Sequence, residues 1–170
     1  MGRAVSKFVP ADDLVVPYTA TSLEDADAII HTIKISENEL RKQQVGGFYR
    51  DIELNPAYVN ESETDKKERE LDGTRKGKDE KMYSLLECHV NLDIDGFNDV
   101  NAEGEPTGIK LPYIVTIEEA SKEVLSIRRN YEIGDVTKSK ISYFVHFKFL
   151  PGLGFYGFGL IHMIGGLSRT

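Results

Sequence analysis

The chain contains no tryptophan and only one cysteine, Cys88, among its 170 residues. A lone cysteine cannot close an internal disulfide, so a reducing compartment is the simplest setting. Without tryptophan, nucleic-acid bases could stack only on phenylalanine or tyrosine. Excess positive charge is missing too: the formal net charge is −7 and the pI is near 5.2. That balance argues against an exposed, nonspecific nucleic-acid binder, which needs a basic face to displace counterions. A local basic patch is not excluded by it. The stretch from Met1 to Phe8 lacks the apolar run of a secretory signal. No internal repeat is visible.

One segment lacks Asp, Glu, Lys and Arg altogether, from Phe149 to Leu167. Its length approaches the ~20 residues of a membrane-spanning helix. Pro151 and glycines at 152, 154, 157, 159, 165 and 166 interrupt it. The part able to be helical, Leu160 to Leu167, is too short to cross a bilayer. A buried or subunit-packed glycine-rich turn is expected, with no membrane contact.

What is present suits a folded domain, or a domain with a small appendage. Hydrophobic residues make up 40% and charged residues 29%, enough to build a core at this length. Leu14 to Thr19 reads as a short strand, which Pro17 confines to a sheet edge. Thr21-Ser22-Leu23-Glu24-Asp25 has the look of a helix start, and Ala26, Ile29, Ile30 and Ile33 follow at helical spacing. Ser36-Glu37-Asn38-Glu39 is a capping box, opening a helix that should stop at Gly46-Gly47. Residues 22–46 therefore read as a helical pair or one broken helix.

From Glu61 to Lys81 charges of both signs dominate, and Leu71 is the one large aliphatic residue. Such a stretch buries too little to offset its ordering entropy, so a mobile insertion is expected. A β region follows. Cys88, Val90 and Leu92 share one face of a strand, with Glu87, His89 and Asn91 on the other. Tyr113–Ile117 and Val124–Arg128 flank a short polar turn as an antiparallel hairpin. A last strand alternates Tyr143, Val145, Phe147 and Phe149 with Phe144, His146 and Lys148. The expected fold is α+β: an N-terminal helical pair, then an antiparallel β-meander carrying a charged insertion. The corresponding divisions are 1–54, 55–82, 83–150 and 151–170.

Four patterns resemble chemistry. Gly152-Leu-Gly154-Phe-Tyr-Gly157 spells a dinucleotide fingerprint after a predicted strand. Pro151 opens it, bulky rings at Phe155 and Tyr156 crowd the pyrophosphate position, and too little chain follows for the ribose ligand. A glycine turn allowing close backbone approach is the better reading. The run Asp93 to Gly104 is rich in oxygen ligands, but in a calcium-loop register from Asp99 the twelfth position is Lys110, which repels the ion. Cys88 and His89 are strand neighbours facing opposite sides. His31, His146 and His162 have no zinc spacing. These are read as structural histidines and a buried thiol. Arg128-Arg129 makes a weak basic patch, read as solvated charge or subunit salt bridges. No catalytic, cofactor-binding or metal residue is assigned.

Several stretches resemble the portal proteins of P22-like podophages. They are Val16-Pro-Tyr-Thr-Ala-Thr21, Ser36 to Val45 with Gly47 to Asp51, and Leu86 to Val90 with Leu92 to Phe97. Thr107 to Ile117 and Val124 to Arg129 continue the likeness. It ends in the long glycine/aromatic string from Tyr143 to Gly166, the most specific block. The resemblance implies a structural subunit and no enzyme. It implies a dodecameric homo-oligomeric ring, the head-to-tail connector through which double-stranded DNA is packaged and ejected without sequence specificity. Its implied partners are the large terminase subunit, tail and head-completion proteins, and scaffold and capsid proteins. Its implied location is the portal vertex of the virion, and the host cytoplasm before assembly. Family members are several times longer, so the chain corresponds to an internal fragment. Other classes are an adaptor or regulatory module of prophage origin binding through the charged insertion, and an enzyme resting on the dinucleotide-like pattern.

Overall fold

The computed structural model describes residues 5–54, 67, 70, 71, 82–148, 150–152 and 154–165. Most of the insertion expected at 55–82 lies outside these residues. A five-stranded antiparallel sheet runs in chain order: β1 (Leu14–Val15), β2 (Ala28–Ser36), β3 (Met82–Leu92), β4 (Leu111–Glu118) and β5 (Val124–Arg129). Helix α1 spans Glu37–Val45, a short α2 spans Leu160–Ile164, and a 3-10 turn covers Ala11–Asp13. The α+β class and the meander order stand as expected.

The helical pair does not. Only its second member forms. Residues Ala28–Ser36 are strand β2. The local reason is the β-branched content of Ile29-Ile30-His31-Thr32-Ile33-Lys34-Ile35, which is stiff at χ1 and suits a pleated surface. The expected helix start is turned to another use. The Asp25 carboxylate accepts from the Thr21 and Ser22 backbone N–H groups and from both hydroxyls, at 2.6–3.2 Å. This closes residues 21–25 into a loop instead of opening a helix.

The chain divides into two compact units. One comprises residues 31–87 and 115–128. Its core gathers Leu40 of α1, Tyr49, Leu54, Tyr83 and Leu85 of β3, and Leu125 of β5, with Ile33, Ile35 and Ile52 against them. α1 begins where its capping residue places it: the Ser36 hydroxyl accepts from Glu39 N–H at 3.4 Å. It ends at Gly46, and Gly47 follows with φ +72°. Gln44, buried on α1, donates to the Arg50 and Ile52 carbonyls and ties the following segment down. The β4–β5 turn is closed by Glu118, whose buried carboxylate accepts from Ser121 N–H at 2.6 Å.

The other unit comprises residues 1–30, 88–114 and 129–170. Its core holds Ala20, Leu23, Ala26, Ile29 and Phe155, with Leu14, Val16 and Phe144 packed against them. Two expectations change here. The thiol of Cys88 is half-buried, not buried. It is His89, on the face read as polar, that is enclosed, its ring against Tyr143 and Phe144 at 5.9 and 5.1 Å. The predicted last strand is absent as well. Residues 142–148 join no ladder among the described residues.

Candidate functional site

The glycine turn behaves as a structural device. Leu150 and Phe158 form an antiparallel bridge around it. A Cβ on Gly157 would lie 2.4 Å from the Leu150 carbonyl oxygen, so the close approach of two backbone segments requires glycine there. Gly154 has φ +100°. Phe155 is buried in the core.

The oxygen-rich run is satisfied by its own chain. Asn98 donates to Asp93 (2.8 Å), Thr107 donates to the Asp99 carboxylate (2.7 Å), and Asn101 accepts from Glu103 and Glu105 N–H groups. Lys138 forms an ion pair with Asp99. Among the described residues no group of three or more His, Cys, Asp or Glu comes together as metal ligands. Nor is any helix among them long and apolar enough to cross a membrane.

The histidines are dispersed over separate elements. His146 stacks on Phe155 with ring centroids 4.3 Å apart. Burial, reinforced by the nearby Lys148 charge, holds its pKa below the usual histidine value. His162 Nδ1 accepts from Gly159 N–H and caps α2. The arginine pair separates as strand neighbours must. Arg128 lies over the Phe48 ring at 4.4 Å with Glu87 3.7 Å away, and Arg129 is exposed.

The arm that follows β5 carries a row of exposed apolar side chains. From Tyr143 to Lys148 exposed and half-buried residues alternate. Phe144 enters the core, His146 meets Phe155, and Lys148 Nζ donates to the Thr21 and Gly154 carbonyls at 3.2 Å. Lys140 Nζ likewise reaches the Leu23 and Ala26 carbonyls (3.2 and 3.3 Å), and the Tyr156 hydroxyl donates to Leu14 O (3.1 Å). The outward set is apolar: Tyr143, Val145 and Phe147 are 61%, 77% and 89% exposed. In α2, Ile161 and Met163 are also exposed. The alternation was legible in the sequence. Which set faces inward was not, because the deciding contacts come from Thr21–Ala26 and the 150–156 turn. No family model matches the chain, and no curated protein matches it either.

Proposed function

We propose that the chain is a fragment of a portal protein of the P22-like podophage type, a structural subunit of the ring through which double-stranded DNA is packaged and ejected. In this role it works by binding copies of itself and the packaging and tail proteins, not by catalysis. The observation that carries the reading is the glycine/aromatic string from Tyr143 onward. The stretch that most resembles the family also presents the outward row Tyr143, Val145 and Phe147. Contiguous exposed apolar side chains of this kind mark surfaces that another protein covers. A subunit of a closed ring needs two such surfaces, one for each neighbour.

The test is the mass of the chain in solution by light scattering over a concentration series, with negative-stain imaging of the largest species. A discrete ring-shaped assembly is the expected result. A clean monomer at every concentration would remove ring formation by this chain. A closed dimer would point to an adaptor-like module instead.

A further inference from the structure

The His146 ring rests on a residue of the core. It lies nearly parallel to the Phe155 ring, with centroids 4.3 Å and planes 23° apart. Phe155 in turn is buried in the apolar cluster with Ala20, Leu23, Ala26 and Ile29. The imidazole itself is half-buried. Two residues on, Lys148 Nζ donates to the carbonyls of Thr21 and Gly154, both at 3.2 Å. Those two acceptors hold the ammonium in place, and its charge acts on the His146 ring.

No carboxylate offsets that charge. From Val136 to Gly165 the chain has no Asp or Glu. In the loop that receives Lys148, the Asp25 carboxylate is already taken by Thr21 and Ser22 donors. Glu24 and Asp27 are exposed and do not act on the ring. The same loop takes a second cation, Lys140, on the Leu23 and Ala26 carbonyls. An imidazolium would gain something from the face of Phe155, because aromatic faces attract cations. Against that gain stand burial and the fixed ammonium, and together they hold the His146 pKa below its ordinary value.

We infer that the His146–Phe155 stack is an acid-sensitive fastening: protonating the ring loosens the turn that carries Phe155 from the apolar cluster. The neutral ring is the form the fold accepts. Its contribution is complete above the unfolded value near 6.5 and is lost as pH falls below that toward the lowered folded value. Asp25 works in a separate window, around its own unfolded value of 3.8. What loosens is the Phe155 side chain and, with it, the Leu150–Phe158 bridge. The inference does not depend on the portal reading.

The experiment uses the full chain, unmodified and as His146→Phe and His146→Gln. Proton NMR follows the histidine ring C–H signals through a pH titration, His146 being the signal each variant loses. A midpoint below 6.5 is expected, and one at or above 6.5 would show that the stack welcomes the proton and would overturn the inference. Amide hydrogen exchange, corrected for the intrinsic effect of pH, reads the opening of the segment from Tyr143 to Phe158. In the unmodified chain it should quicken several-fold between about pH 7.5 and about pH 5.5. In His146→Phe, which keeps a ring on Phe155 but takes no proton, it should stay level. His146→Gln, neutral at every pH, repeats the comparison without asking a larger ring to fit. The same quickening in both variants would assign the effect to another group and sink the idea, as would no quickening in the unmodified chain.

Discussion

Asp25 illustrates how one carboxylate can redirect a segment. Four donors converge on it, from the backbone and hydroxyls of Thr21 and Ser22. Those hydrogen bonds, with the Thr21 hydroxyl first, hold its pKa well below the usual aspartate range. A folded-state pKa lowered in this way stabilises the fold above the unfolded value near 3.8 and loses that contribution as pH falls beneath it. Asp25→Asn should therefore flatten the acid limb of the stability curve below about pH 4, measured by denaturant titration at stepped pH. An unchanged slope would show that the loop contributes nothing to acid unfolding. Gly157 makes a second case. Its missing side chain is what admits Leu150 O, so Gly157→Ala should cost about 1–3 kcal/mol by overpacking. Chemical denaturation would read that loss directly. Asn130 stands apart: its side-chain amide is fully buried without a hydrogen-bond partner among the described residues.

At the scale of elements, α1 was written plainly in the sequence because its signals are local. Ser36 caps it, and Gly46-Gly47 ends it. The β4–β5 hairpin was legible for the same reason, two alternating runs around a polar turn. β2 was not, since Ala26, Ile29, Ile30 and Ile33 fit a helical stripe as well as a strand. The choice was made by β-branching and by the neighbours β1 and β3, the second of which begins only at Met82. The arm failed as a strand for the converse reason: its alternation is real, yet its partners are carbonyls and a ring stack instead of a neighbouring strand. In the core of residues 31–87 and 115–128, Leu85 of β3 is fully enclosed. Leu85→Ala should cost about 2–5 kcal/mol, lost contacts and a cavity together. A smaller effect in equilibrium denaturation would mean that the site collapses around the change.

For the whole molecule, stability and association ought to separate. Val145 and Phe147 contribute little to their own copy's core because they are largely exposed, whereas the Tyr143 ring also lies against His89. Replacing the two together, Val145→Thr and Phe147→Ser, should leave the melting temperature nearly unchanged, since exposed substitutions usually stay within about 0.5 kcal/mol each. The same change should reduce the assembled mass to that of the monomer in light scattering. A persisting assembly would locate the contact elsewhere. The strand order carries a different consequence, for the time course of folding. Because β1 to β5 lie in chain order, every pairing joins strands adjacent in sequence, but the intervals between them are unequal. β4 and β5 are separated by a tight turn, whereas the whole stretch between Ser36 and Met82 must be spanned before β2 meets β3. Closing the longer loop costs more chain entropy. The hairpin should therefore form before β2 pairs with β3, an order that φ-values at Leu125 of β5 and Ile33 of β2 would read, and equal values at both would overturn it.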